Sequence, residues 1–451
     1  MRVVYSRLLR KRPDSAHVQR RVKLAVFLPA AALAAVSMWF YVQRVLIPYE
    51  RADASAHERP RGNLSDLYPR WLGARELLLH RLNPYSEQVT LEIQKGYYGR
   101  VLDSSRPNDP KDRQGFAYPV YVVFLLAPFV GFPFPPVQTV FYWMLLGLTA
   151  GSVGLWLRAL PWRLPTLGIA LAMALTLGSF PVVQGIKLQQ LSLLVAALLS
   201  GSVACVAAGS LLGGGILLAL ATIKPQLAWP LVAWLLCWAA NDWRTRRKLA
   251  YGFGLTMALL LTAAEIVLPG WWRMFVEALR QYHRYTQNRS VLDQLAPWAF
   301  AGKILAGFAV FACVFLLWKL RREFSDPLVF GRATALVLAL TVLIVPMFAP
   351  YNQVLLLPAI MLLVRDRAEF TSRSRALRLL YLAGALVVAW QWIASLTLTG
   401  AYLLGSPAWA LGAWKWPFLA TFAVPVVVFG LSLLHVIRSA AKPQVPELSL
   451  D

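Results

Sequence analysis

The chain has 451 residues, of which 58% are hydrophobic and only 15% charged, whereas soluble domains carry roughly 45–50% apolar and about 25% charged residues. Its 45 Lys+Arg against 21 Asp+Glu give a net charge of +24, yet the cations gather where apolar runs end and form no basic stripe interleaved with aromatics. Together these exclude a soluble enzyme, a secreted disulfide scaffold and a disordered regulator, argue against nucleic acid as a partner, and leave a polytopic membrane protein with basic cytoplasmic loops.

Residues 1–23 carry eight Lys/Arg (Arg2, Arg7, Arg10, Lys11, Arg12, Arg20, Arg21 and Lys23) against one acid, Asp14. The apolar run Leu24 to Ile47 follows. It is too long for a usual signal-peptide core, so the expectation is an uncleaved anchor with a cytoplasmic N-terminus. The polar stretch from Pro48 to Phe116 holds eleven Lys/Arg and ten Asp/Glu, a near balance that fits an extracytoplasmic loop. Within it Leu67, Trp71, Ala74, Leu78 and Leu82 recur at helical spacing, with Arg70, Arg75, Glu76 and Arg81 on other faces. That pattern predicts an amphipathic helix at the membrane interface. Asp103, Asp109 and Asp112 lie in a Pro/Ser/Asn-rich coil without calcium-loop spacing and read as solvated.

Tyr118 to Phe132 is apolar but short and ends in a proline cluster, which predicts a half-buried juxtamembrane helix. Further apolar runs at 137–157, 164–183, 190–208, 211–223, 226–240, 249–268, 299–318, 329–348, 352–364, 377–397 and 413–437 bring the expected total to about 12 spans. Gly213-Gly214-Gly215 reads as a membrane turn. Under this threading the clusters at Arg158/Arg163, Arg244–Lys248, Lys319–Arg322, Arg365–Arg378 and Arg438/Lys442 share the side of the N-terminus, and the C-terminus joins them. Cys205, Cys237 and Cys313 sit inside apolar runs without metal-ligand spacing, so no metal or cofactor is expected.

The same threading brings a set of polar residues to the outer face: Asp66, then Gln184, Lys187, Gln189 and Gln190, then Lys224, the loop Trp271–Trp298, and Tyr351-Asn352-Gln353. Lys224 interrupts the otherwise uncharged stretch from Gly213 to Ala240, and Pro225 breaks the helix beside it. An ionisable group at membrane depth marks a site or pathway, or snorkels to the headgroups; for Lys224 the two readings are even. Asp66 follows Ser65 at the start of the amphipathic run, where either side chain suits a helix cap. His283 stands in the aromatic-basic segment Arg280–Tyr285, where a surface histidine is the ordinary reading. Asn63-Leu64-Ser65 and Asn288-Arg289-Ser290 match the N-glycosylation pattern.

Several of these segments resemble glycosyltransferase family 87. Asp66-Leu67-Tyr68-Pro69-Arg70-Trp71-Leu72-Gly73-Ala74-Arg75, ending in Asn83-Pro84-Tyr85, is similar to its first-loop signature. Phe116-Ala117-Tyr118-Pro119 followed by Ala127-Pro128-Phe129 is similar to its Tyr-Pro-Pro segment, with Val120 replacing the second proline. Gln189-Gln190-Leu191-Ser192 resembles a Gly-Gln-x-Asn turn and departs from it at Gln189 and Ser192. Lys224-Pro225 matches a Lys-Pro element; Asn288-Arg289-Ser290 and Ala349-Pro350-Tyr351-Asn352 are looser. The resemblance runs from about residue 60 to 365.

It implies an all-α GT-C fold and a mannosyltransferase-like enzyme that moves a sugar from a polyprenyl phosphate to a glycan or glycolipid hydroxyl with inversion. It also implies Asp66 as the general base. A lipid-phosphate leaving group calls for cations, and Lys224, with Lys187 or Arg284, suits that need. Tyr68, Arg70, Trp71, Tyr118, Gln190, His283, Asn288 and Asn352 are then candidates to line the sugar and prenyl groove. The expected organisation is a basic N-terminus (1–23), a catalytic membrane module (24–365, with a first outer loop 48–136), further spans (366–437) and a tail (438–451). A transporter or flippase and a catalytically inactive scaffold are the competing readings; the chain lacks the internal symmetry common in transporters.

Overall fold

The computed structural model describes residues 15–57, 65–103, 105–286, 289–298, 300–346, 348–372 and 374–440. Most of the basic N-terminus, Asn63, Asn288 and Lys442 lie outside the described residues. Those residues are helical with no strand among them. The chain begins with α1 (Ser15–Tyr41), which passes through a π-helical turn at Val42–Leu46 into α2 (Ile47–Ala56). The first helix therefore runs beyond the predicted end at Ile47. Pro48 falls in the first turn after the π-helical segment, where the displaced hydrogen-bond ladder tolerates its missing donor.

The outer loop supplies α3 (Tyr68–His80), α4 (Glu87–Tyr98) and α5 (Val122–Leu126), the last continued by a 3-10 turn at Ala127–Phe129. Then come α6 (Phe134–Ala159), α7 (Thr166–Leu177), α8 (Phe180–Lys187), α9 (Leu191–Ala207), α10 (Leu211–Leu220), α11 (Pro225–Ala240), α12 (Trp243–Val267) and α13 (Trp271–Thr286). The remainder is α14 (Val291–Leu295), α15 (Ala301–Lys319), α16 (Pro327–Ile344), a 3-10 segment Pro350–Leu356 running into α17 (Leu357–Arg365), α18 (Ala368–Thr371), α19 (Arg375–Leu403), α20 (Pro407–Gly412) and α21 (Ala423–Ala440).

Among the described residues, seven helices are long and apolar enough to cross a bilayer, and α7 with α8, bent by 58°, makes an eighth. Four further apolar helices, Leu191–Ala207, Leu211–Ile223, Pro225–Ala240 and Pro350–Arg365, are shorter. All twelve expected runs thus fall on helix, but four lack the length of a full span. Leu255, Leu259 and Ile266 on α12 and Phe308 and Phe311 on α15 remain exposed, which in a bilayer costs nothing because lipid tails are as apolar as the side chains.

Two local expectations change and one holds. The predicted interface helix α3 is buried on most sides: Trp71, Gly73, Ala74, Leu77 and even Glu76 are inside, with Glu76 accepting from His80 at 2.8 Å. The short helix α5 buries Val122, Val123 and Leu126 and leaves Phe124 and Leu125 half-buried, as expected, and five residues at about 1.5 Å each cannot span the roughly 30 Å of a bilayer core. The three glycines expected as a turn lie inside α10. A Cβ at Gly215 would sit 2.2 Å from the Leu249 carbonyl oxygen, and one at Gly252 would sit 2.3 Å from that of Leu212. Small residues here let α10 and α12 touch backbone to backbone.

The bundle has two distinct ends. At one, Arg365 donates to the Leu160 carbonyl at the end of α6 (2.8 Å) and to Asp366 through Nε (2.7 Å). Arg332 of α16 donates to Asp366 (2.9 Å) and to Ser439 of α21 (2.7 Å), and His435 Nε2 lies 3.0 Å from Asp366. Burial pushes the Asp366 carboxyl up, but His435, Arg365 and Arg332 together hold it well below the usual range. Asn241, just after α11, donates to the Arg321 carbonyl just after α15 (3.0 Å). The other end holds α3, α4, α5 and the breaks between helices.

Candidate active site

The site is built where helices stop. The turn between α8 and α9 is locked by its own sequence: Gln189 takes a left-handed φ of 47°. Its Nε2 donates to the Ile186 and Lys187 carbonyls (2.7 and 3.0 Å), and its Oε1 accepts from Gln138 of α6 (3.0 Å). Leu188 in that turn accepts from the backbone N–H of Asp66 (2.9 Å) and from Ser65 Oγ (3.2 Å). The outer loop is therefore pinned to the bundle at the aspartate.

Ser65 Oγ accepts from the Leu67 N–H (3.2 Å), while α3 has no side-chain cap. Asp66 does not cap the helix. Its Oδ1 accepts from Tyr97 of α4 (3.3 Å) and its Oδ2 from Nε2 of Gln190. Gln190 Oε1 in turn accepts from Lys224 Nζ (3.2 Å). Lys224 also donates to Ser192 Oγ (2.6 Å), which donates to Asn352 Oδ1 (2.9 Å). The string Asp66–Gln190–Lys224–Ser192–Asn352 joins residues from the outer loop, α9, the α10–α11 break and the segment before α17. Lys224 is 5% exposed and Ser192 0%, and the Tyr351 ring lies 5.1 Å from the ammonium. A buried lysine with two neutral oxygen partners and an aromatic face is held in place, not snorkelling.

Arg70, one turn after Asp66, donates to the Asp66 carbonyl (2.8 Å) and lies over the Tyr118 ring at 4.6 Å. Its Nε is buried without a hydrogen-bond partner, an uncommon state for a cationic donor. Burial, and then the charge of Asp66, push the Tyr97 phenol well up, so it stays a donor. Burial also pushes the Asp112 carboxyl up, against hydrogen bonding from Gln114 and attraction from Arg70. Asp112 accepts from the Gln114 N–H (2.9 Å) and Nε2 (3.0 Å), and Asp109 is paired bidentately with Arg100. Neither is solvated as expected, because the coil folds back on α4 through Tyr98, which donates to the Asp112 carbonyl at 2.7 Å.

Of the expected site residues, Asp66, Arg70, Tyr118, Gln190, Lys224 and Asn352 come together. Lys187 is instead ion-paired with Glu50 of α2, and His283 and Arg284 are exposed on α13. Trp71 is core: its indole donates to the Phe129 carbonyl (3.2 Å) and its ring packs on Phe134. Tyr68 packs on the same Phe134, with its hydroxyl where a Cβ on Gly96 would fall. Asn288 lies outside the described residues. Tyr97, Tyr351 and Asp112 were not foreseen as site members; the helical spacing of Tyr97 with Ile93 and Val89 signalled only a packed face. The described residues contain no group of His, Cys, Asp and Glu suited to a metal ion.

The arrangement offers the Asp66 carboxylate with Asp112 nearby, one buried and one half-buried cation (Lys224 and Arg70), and a set of neutral amides and hydroxyls. Chemically it can accept a proton beside a bound anion. In comparisons with known proteins, the family model described as glycosyltransferase family 87 matches residues 116–346. That stretch holds Tyr118, Gln190 and Lys224 but neither Asp66 nor Asn352. No curated protein and no solved structure gives a significant match.

Proposed function

The chain belongs to glycosyltransferase family 87, and from that premise we propose that it transfers a sugar, mannose favoured, from a polyprenyl-phosphate donor to a hydroxyl of a lipid-linked or extracytoplasmic glycan, with inversion. The observation that carries this reading is the Asp66 carboxylate: free of any capping duty, it is linked through one amide to a buried ammonium. The acceptor oxygen attacks the anomeric carbon as the bond to the phosphate oxygen breaks. Asp66 takes the acceptor proton, and the phosphate leaves with the electron pair.

The charges suit that step. Arg70 and Lys224 set two cations beside the Asp66 carboxylate, and a sugar phosphodiester brings a single negative charge to them. As the phosphate gains charge Asp66 loses it, so the sum within the site stays constant. Cations positioned where charge develops, in a water-poor site, are among the strongest contributors to catalysis. The unpartnered Nε of Arg70 makes this arginine the second phosphate contact, in place of Lys187, which is engaged with Glu50. Tyr118, Tyr351 and Tyr282 offer aromatic faces for the sugar.

The basic clusters at the far end support a cytoplasmic position for that end and for both termini, with the site facing outward from a plasma membrane. A lipid-linked donor fits that side, where nucleotide sugars are not expected. The test is Asp66→Asn with expression, thermal stability, donor binding and transfer measured on one preparation. Asparagine caps a helix about as well as aspartate but cannot act as a base, so transfer falls by roughly 10²–10⁴-fold while stability and donor binding persist. A fully active variant overturns the assignment.

A further inference from the structure

Asp66 and Lys224 are opposite charges in one buried site, yet no direct ion pair forms between them; Gln190 stands between. Its Nε2 donates to Asp66 Oδ2, and its Oε1 accepts from Lys224 Nζ at 3.2 Å. The amide has one workable orientation, because turning it over would set its N–H group against the ammonium and its oxygen against the carboxylate. Gln190 is 3% exposed and begins α9, with its N–H bonded to the Gly185 carbonyl at 2.8 Å. The Gln189 bonds to Ile186 and Lys187 fix the turn before it. The spacer is thus rigid at its root and charged groups load both its tips.

We propose that Gln190 is a positioning residue that keeps the base and the phosphate-binding cation apart, and that it selects Oδ1 as the basic oxygen. This rests on the reading of Asp66 as the base. Were the spacer absent, the ammonium and carboxylate would close into a pair, leaving a weakened base and a cation no longer available to phosphate. With the spacer present, Oδ2 is occupied by an N–H donor. Oδ1 keeps only the longer contact to Tyr97, at 3.3 Å, and is the oxygen open to an acceptor hydroxyl. On the far side Lys224 is held by another neutral group, Ser192, itself anchored to Asn352. Both restraints on the ammonium are uncharged, so its charge is steadied without being neutralised.

The charged and titratable groups around Asp66 are Arg70 on α3, Tyr97 and Tyr98 on α4, Asp112 in the following coil, Tyr118 before α5, Lys224, Tyr282 on α13 and Tyr351 before α17. None of them changes in the two variants that test the idea. Gln190→Glu keeps the shape but replaces the N–H donor with a carboxyl beside Asp66. The acidic limb of kcat/KM then moves to higher pH by about one unit or more, because a neighbouring carboxylate and a lost donor both favour the protonated base. Gln190→Ala keeps every backbone bond of the turn but lets the ammonium close on the Asp66 carboxylate, and kcat falls by about 10²-fold because the base is weakened and misplaced. A residue that only contacts the sugar would raise KM and leave kcat and the limb in place. That result in either variant, measured with purified full-length protein and a prenyl-phosphate sugar, overturns the proposal. Asp66→Asn is run alongside: if it transfers at the normal rate, the failure belongs to the assignment of the base and not to the spacer.

Discussion

The molecule buries charge at both ends of its bundle and does so in two different ways. Around Asp366, Arg332, Arg365 and His435 approach one carboxylate directly, and Glu369 adds a second acid. Around Asp66, no cation side chain touches the carboxylate among the described contacts; it accepts from a phenol and an amide, and the Gln190 amide stands between it and Lys224. The first arrangement satisfies itself and ties α6, α16, α17 and α21 together. The second leaves Lys224 without a carboxylate partner and the proposed base without a direct cation. Burial does not separate the two ends; direct pairing does.

Replacing Lys224 is the sharpest way to break that contrast. Lys224→Ala lowers sugar transfer by roughly 10²–10³-fold, the scale for removing one group that stabilises developing negative charge. Lys224→Arg keeps part of the rate, because the charge survives in a different geometry. Normal transfer by Lys224→Ala would mean that the residue is structural.

At the opposite end the expected losses are in stability. Asp366→Asn leaves Arg365 uncompensated and Arg332 with Glu369 alone, and costs about 3 kcal/mol of stability, with transfer per folded molecule unchanged; the thermal midpoint and specific activity check both. Because the folded-state pKa of Asp366 is depressed, its contribution is present above its unfolded pKa near ~3.9 and is lost as pH falls towards the folded value. The difference in thermal midpoint between wild type and Asp366→Asn therefore shrinks as the pH falls through the acid range. A difference that persists undiminished in acid would contradict this.

Two smaller effects sharpen the comparison. Gly252→Leu forces a side chain into the α10–α12 contact, where even a Cβ would sit 2.3 Å from a carbonyl oxygen. Overpacking of that kind costs roughly 1–3 kcal/mol and is read as a lower thermal midpoint. Tyr97→Phe removes the longer of the two hydrogen bonds to Asp66 and slows transfer by about 5–10-fold, equivalent to about 1 kcal/mol, a small value for a bond to a carboxylate because this one is long.

What the sequence revealed depended on how local the signal was. Lys224 was legible because a lone cation in an uncharged apolar stretch has no local explanation, and Pro225 marks the break that frees it. The helical runs were legible from composition, but their crossings were not: whether Leu211–Ile223 passes through the bilayer depends on its neighbours as well as on its own residues. Tyr68 and Trp71 were read as groove lining because they follow Asp66 on one helix, yet Phe134 and the Phe129 carbonyl, some 58 positions later, draw the indole into the core. Asp109 and Asp112 read as solvated because their partners, Arg100 and Gln114, come from a fold-back of the coil that no periodicity announces. The cluster at Asp366 was hidden among loop charges for the same reason, since Arg332 and His435 approach it from other helices.

The most direct test of the central claim is a transfer assay with purified full-length protein in detergent, using a prenyl-phosphate mannose donor and a glycolipid acceptor. The account predicts one glycosidic product of inverted anomeric configuration for each prenyl phosphate released, without a sealed compartment. Movement of the intact lipid-linked sugar across proteoliposomes, with no transfer in detergent for any prenyl-phosphate sugar tried, would contradict it.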